Sequence, residues 1–248
     1  MKAERRNKGA DDPMERVLAH YRIAAPIIEQ TFECAQLFYQ TYPQGLDKPG
    51  AFHGNPIPMT TPDLLVLVQE KGAVEFQTTG IVVAERTDWA QVALWPGYFA
   101  PFESVKRAAR LVGALMAEMA RFTVIPVLDG KNGMALWMDL DGLRKKDAVR
   151  MWVRRLCHDA VARNPELLTV DGDAVNADRV YVRSMVGLPT SVPYGLRAPS
   201  LGVTIPVTWS ELDSFAGADA VGIDDFPRRS TNYPLHRIGG SHGFASER

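Results

Sequence analysis

The 248-residue chain sets 28 Lys and Arg against 29 Asp and Glu, for a formal net charge of −1 and a pI near 6.5. That balance excludes a protein that holds nucleic acid by bulk positive charge, since phosphate neutralisation supplies much of such affinity, and leaves room only for a local basic face. No apolar run reaches membrane-spanning length and no apolar stretch follows the charged start Met1-Lys2-Ala3-Glu4-Arg5-Arg6, so neither a membrane partner nor a signal peptide is expected, and Cys34 and Cys157, outside any Cys-x-x-Cys pair, are expected to be free thiols in a reducing cytoplasm.

Residues 1–11 are polar and expected to be flexible; the domain is expected over 12–234, with a flexible tail over 235–248. Asp12-Pro13 marks a helix start, and Val17, Leu18, Tyr21, Ala24, Ala25 and Ile28 then recur at helical spacing, with Pro26 a candidate kink. A Pro/Gly-rich loop is predicted from Tyr42 to Pro62. Leu64–Val68 suits a buried helix or strand, and Ala73–Gln77 and Ile81–Ala84 read as strands.

Val92-Ala93-Leu94 reads as a short strand ended by Trp95-Pro96-Gly97. The next helix carries Phe102, Val105, Ala109, Val112, Met116 and Met119 on one face, a packing stripe. Val124–Leu128 and Met134–Met138 predict a hairpin around Asp129-Gly130-Lys131-Asn132-Gly133. A second amphipathic helix places Ala148, Trp152, Leu156 and Ala160 about one turn apart, Val180–Met185 reads as a strand, and the chain from Gly187 is proline-rich and irregular. Strands mixed with two long helices indicate an α+β fold.

Motif order carries more information. Arg179-Val180-Tyr181-Val182-Arg183, then Thr190-Ser191-Val192-Pro193-Tyr194-Gly195-Leu196-Arg197-Ala198, then Ile205-Pro206-Val207-Thr208-Trp209-Ser210-Glu211-Leu212, resembles the C-terminal third of the polymerase domain of bacterial DNA ligase D, an archaeo-eukaryotic primase-polymerase. His20–Pro26 is similar to that family's opening helix. The Tyr42–Pro56 skeleton is similar to its Tyr-Pro-x-Gly loop, and Gly72–Phe76 and Arg86-Thr87-Asp88 to the segments that follow. The resemblance covers roughly residues 15–226 and implies a primase-polymerase fold of mixed and antiparallel sheets flanked by helices.

The same resemblance implies a chemistry that this chain cannot supply in the family's way. The family clamps two divalent ions with three aspartates, and the ions stabilise charge on the attacking and leaving oxygens. Here the first two positions are Ala93 and Trp95 and the third is Arg183, a guanidinium that repels Mg²⁺ or Mn²⁺. The family lysine of the early loop falls at Gly54 and the nucleotide-contacting histidine at Ala135. Arg197 matches the triphosphate-contacting arginine, Tyr194 and Asn55 are retained, and Lys131 lies one place from a family lysine. The candidate cleft is therefore His53, Asn55, Trp95, Asp129, Lys131, Ala135, Arg183, Tyr194 and Arg197, with no metal and no cofactor expected.

Several features have plainer alternatives. Asp139-Leu140-Asp141 is either an Asp-x-Asp metal pair or a solvated strand end. Asp129–Gly133 either cradles a phosphate through its amides or is a simple turn. Arg144-Lys145-Lys146 and Lys106-Arg107 read as solvated faces, which Arg154-Arg155 could join as a basic patch; Ser184 and Ser191 lack a nucleophile-elbow context. A buried Arg183 would need a partner, with Asp129, Glu75 or a bound anion as candidates. Two functional expectations follow. The first is a non-polymerising descendant that binds a nucleotide, a nucleic-acid end or a protein partner. The second is a fold repurposed as a metal-independent enzyme on a small molecule.

Overall fold

In the computed structural model, which describes residues 12–32, 36–58, 60–79, 82–83, 86–120, 123–173 and 177–232, helix α1 (Pro13–Thr31) begins where the sequence marks it. The Asp12 carboxylate accepts from the Met14 amide at 2.9 Å, and Pro13 sits in the first turn, where no amide is required. Pro26 lies inside the helix, which continues to Thr31 and buries Val17, Tyr21, Ala24, Ala25 and Ile28 as the spacing predicts. The termini expected to be flexible and Cys34 lie outside the described residues.

Four strands form the first sheet. β1 (Gln36–Thr41) pairs antiparallel with β2 (Ala51–Pro58) and β3 (Ala73–Thr78), and β10 (Thr190–Ser191) pairs with β3, giving the order β10-β3-β1-β2. Part of the predicted Tyr42–Pro62 loop is thus strand β2. Its edge position explains why Pro56 and Pro58 are tolerated, because an edge strand is hydrogen-bonded on one side only. Helix α2 (Thr61–Lys71) is capped by the Thr60 hydroxyl on the Asp63 amide and ends at Gly72, whose φ of 65° is open to glycine at no steric cost.

The second sheet is built on β5 (Arg86–Pro96), which runs through Trp95 to Pro96 where the sequence predicted an end at Leu94. It is flanked by β7 (Met134–Lys145) and β9 (Val180–Ser184); the full order is β13 (Ile205–Pro206), β6 (Val124–Leu128), β7, β5, β9 and β8 (Leu168–Thr169), with β4 (Val82–Val83) also on β5. Only the β8–β9 pair is parallel among the described strands. β11 (Leu196–Arg197) and β12 (Gly202–Val203) form a separate ribbon. The fold is α+β with mixed and antiparallel sheets, as expected.

Helices α3 (Phe102–Ala120) and α4 (Lys146–Arg163) pack on this sheet. In α4 the buried stripe is Val149, Val153, Leu156, Cys157 and Ala160, while Ala148 is exposed and Trp152 half-buried, so the packed face is rotated from the predicted one. Burial pushes the Cys157 thiol up to about 12, which leaves it a packing group rather than a nucleophile. Pleating puts alternate β5 residues on opposite faces. Val92 and Leu94, fully buried, face one side, and Gln91, Ala93 and Trp95 face the other, where the cleft lies.

Two buried polar residues of α1 tie the layers together. The Tyr21 hydroxyl donates to the Val74 carbonyl at 2.7 Å and accepts from the Leu196 amide at 3.0 Å, linking α1, β3 and β11. His20 Nε2 donates to the Tyr194 carbonyl at 2.8 Å (α5, Phe226–Asn232, covers its ring with Phe226). Burial lowers the His20 pKa from 6.5 to about 4, against the smaller effect of the Tyr194 hydrogen bond. Below pH 6.5 the unfolded chain takes up a proton that the folded chain refuses until about 4. Stability present above pH 6.5 is therefore lost as the pH falls through that window. Urea unfolding is expected to show a loss of about 2 kcal/mol between neutral pH and about pH 5. His20→Gln keeps a donor and should flatten that slope; an unchanged slope in this variant would assign the acid sensitivity to other groups.

Candidate functional site

A cavity of about 200 Å³ lies between the two sheets. The first sheet contributes Gln77, Thr190 and Ser191. The second contributes Gln91, Ala93 and Trp95 from β5, Val127 from β6, and Ala135 and Trp137 from β7. Asp129, Arg197 and Thr204 close it.

Register explains the floor. Ala93 stands opposite Ala135 on β7 and opposite Arg183 on β9, and Trp95 stands opposite Tyr181. Directly opposed residues share a face, so Ala93, Trp95, Tyr181 and Arg183 lie on one surface. The Trp95 and Tyr181 rings stack with centroids 5.8 Å apart. The indole also lies over the hairpin: a Cβ on Gly133 would meet Trp95 Cδ1 at 2.6 Å, so only glycine fits beneath it. The turn is pinned in the same way, since a Cβ on Gly202 would meet the Gly130 carbonyl oxygen at 2.1 Å.

The hairpin turn carries its own anion. Asp129 Oδ1 accepts from the amides of Lys131, Asn132 and Gly133 at 2.8, 3.0 and 3.0 Å. These are the amides that a phosphate-cradling turn would present, and an internal carboxylate already satisfies them. Lys131 points into solvent.

Arg197 is similarly committed. Its Nη1 donates to the Ser191 hydroxyl and lies 3.2 Å from Glu75 Oε2, while Nε is buried without a hydrogen-bond partner among the described residues. Glu75, 4% exposed, also accepts from the Tyr42 hydroxyl and from the Ala198 amide at 2.9 Å. Burial, followed by that bond to Glu75, drives the Tyr42 phenol well above its ordinary pKa.

The predicted cleft residues therefore divide. Trp95, Asp129, Ala135 and Arg197 line the cavity together. His53 and Asn55 sit on edge strand β2, where His53 stacks on Tyr39 at 4.3 Å and its Nε2 lies 3.2 Å from the Thr41 hydroxyl. Tyr194 is fully buried at φ 71°, with its amide donating to the Thr204 carbonyl at 2.6 Å. Arg183 is exposed, so it needs no buried counter-charge; Glu75 instead pairs with Arg197. Asp139 falls within β7 opposite Trp89 rather than at a strand end, and the Asp141 side chain is outside the described set. Sequence reasoning missed Gln77, Gln91 and Thr204. Gln91 was reachable, since it stands two residues before Ala93 and alternation places both on one face.

The family's divalent ions do not fit this donor set. The three positions that the family resemblance assigns to ligands hold a methyl, an indole and a cation, and Asp129, the one carboxylate among the described lining residues, has an oxygen bound by three amides. No group of three His, Cys, Asp or Glu side chains among the described residues is arranged to hold a metal. Among the described residues the cavity offers aromatic surface, two primary amides and three hydroxyls, with Asp129 and Arg197 as its charged lining residues.

Comparison with known proteins agrees with the topology. The profile of the LigD primase-polymerase domain matches residues 49–234. The chain is 26% identical over 210 residues to the multifunctional non-homologous end joining protein LigD of Pseudomonas aeruginosa, covering 78% of this chain and 25% of that protein, so it spans about a quarter of that relative's length. The polymerase domain of Mycobacterium tuberculosis ligase D, solved in complex with DNA, superposes with a TM-score of 0.78 at 19% identity, covering 88% of this chain and 89% of that one.

Proposed function

Since the chain belongs to the LigD primase-polymerase domain family, we propose that it is a member that has given up metal-dependent nucleotidyl transfer and retains the cleft to bind a nucleoside or a nucleic-acid end, in an accessory role near DNA end joining. The supporting observation is the joint replacement at one register: Ala93, Trp95 and Arg183 occupy one face of β5 and β9 where the family chemistry calls for three carboxylates. A change of one ligand could be compensated; a methyl, an indole and a guanidinium together cannot clamp paired cations.

The cleft also favours a base over a triphosphate. Its arginine is paired with Glu75 and its turn amides are bound to Asp129. Trp95 and the amides of Gln77 and Gln91 offer a planar face and paired donors and acceptors, which suit stacking and edge recognition of a base. The DNA in the complex of the mycobacterial polymerase domain is consistent with this ligand class.

Primer extension with Mn²⁺ is expected to give no product. Tryptophan-fluorescence titration is expected to show a nucleoside and its triphosphate binding within about threefold of each other, and Trp95→Ala should abolish both signals. Extension of the primer, or triphosphate binding more than about tenfold tighter, would sink the reading.

One observation favours a second reading, a metal-independent enzyme on a small polar molecule: the cavity is small, and its Gln77, Gln91, Thr190, Ser191 and Thr204 side chains are uncharged hydrogen-bonding groups. Among the described residues no histidine lines that cavity to act as a base beside its hydroxyls, which ranks this reading second.

A further inference from the structure

The exposed position of Arg183 assigns it to a different cavity. Where β9 meets α4, a cavity of about 290 Å³ is lined by Arg154 and His158 of α4 and by Tyr181, Arg183 and Ser184 of β9. Among the described residues, no aspartate or glutamate lines it. Arg154 and Arg183 make no ion pair or hydrogen bond with any described residue, whereas Arg155 beside them pairs with Asp159 at 3.9 Å and Arg150 one turn earlier pairs with Asp147 at 3.0 Å. The Ser184 hydroxyl has no hydrogen-bond partner among the described residues either. Tyr181, stacked on Trp95, lines this cavity while Trp95 lines the cleft, so the ring pair separates the two.

We propose that Arg154, His158 and Arg183 form a binding site for a phosphomonoester dianion, distinct from the cleft. Two permanent cations brought to one concavity without a carboxylate among its described lining residues repel one another, and an oxyanion accepting from both guanidinium forks relieves that repulsion. The planar guanidinium of each arginine matches the acceptor geometry of a phosphate. The volume, close to the lower end of the about 300–1,000 Å³ of ligand pockets, accommodates a phosphate with a small organic group attached. On this view the charge at position 183 serves the outer edge of β9 and not the old metal floor. The site does not depend on what the cleft binds.

Isothermal titration at low salt with inorganic phosphate, adenosine monophosphate and adenosine separates the sources. Phosphate and the monophosphate are expected to bind, with affinity reduced roughly tenfold or more in each of Arg154→Ala and Arg183→Ala, because each variant removes a charge-assisted hydrogen bond. Arg197→Lys, in the cleft, keeps a cation for Glu75 and should leave inorganic phosphate binding unchanged. A monophosphate that binds like inorganic phosphate identifies a general phosphate site, and one that binds tighter identifies a nucleotide. Both exposed arginines can be replaced with the fold retained, which circular dichroism checks. Absence of phosphate binding to the wild-type chain, unchanged affinity in both variants, or loss of phosphate binding in a folded Arg197→Lys would overturn the assignment. None of these outcomes touches the Trp95 titration, so the two readings fail separately.

Discussion

Glu75→Ala is expected to lower the unfolding free energy by about 3–5 kcal/mol, the usual consequence of removing one member of a buried ion pair. Glu75 is 4% exposed and binds three donors from three segments: the Tyr42 hydroxyl, the Ala198 amide and the Arg197 guanidinium. Without it, the Ala198 amide loses its acceptor and the Arg197 side chain, 21% exposed, keeps its charge with only the Ser191 hydroxyl opposite. Glu75→Gln retains an acceptor oxygen and should cost less, about 1–3 kcal/mol. Urea denaturation with unchanged slope measures both. The same substitution releases Arg197 toward the cleft, so Glu75→Gln should tighten triphosphate binding relative to nucleoside binding. A loss below about 1 kcal/mol in Glu75→Ala would mean that the pair is effectively solvent-screened.

Introducing three aspartates in Ala93→Asp/Trp95→Asp/Arg183→Asp is expected to produce a chain whose stability depends on divalent cations. The register puts all three side chains on one face, with 93 and 183 directly opposed and 95 two residues along β5. In the absence of metal, mutual repulsion of the carboxylates and loss of the Trp95–Tyr181 stack should cost about 4 kcal/mol or more. Mn²⁺ at about a hundred times its dissociation constant should return about 2.7 kcal/mol. Thermal unfolding with and without Mn²⁺ reads this directly, and the wild-type chain should not respond. An equal Mn²⁺ response in the wild-type chain would contradict the proposed loss of the metal site. No response in the triple variant would show that the floor no longer has the family geometry.

Local rules in the sequence reached the helices well. Asp12-Pro13 located the start of α1, and Thr60 with Gly72 bounds α2 by the same capping chemistry. The 128–134 hairpin was legible from its glycines, and Leu128 and Met134 are indeed paired. Strand β2 was not legible, because two prolines and a glycine read as loop unless the strand is known to lie at an edge. In α4 the apolar residues Trp152 and Val153 are adjacent, so composition alone could not decide which of two overlapping stripes would pack.

The candidate site divides along the same line. Which residue types stand at the motif positions is a property of the chain, and Ala93, Trp95 and Arg183, at the positions where the family resemblance implies carboxylates, carry the expectation that paired-cation chemistry is absent. Where those side chains point is a property of packing. Only the assembled sheets commit the Asp129 carboxylate to its own turn, pair Arg197 with Glu75 across more than a hundred residues of chain, bury Tyr194 away from the cleft, and leave Arg183 exposed at a cavity that Arg154 also lines. Residue chemistry is local and can be read in order along the chain. Charge pairing, burial and access are sums over neighbours distant in sequence, and they exist only once the chain has folded.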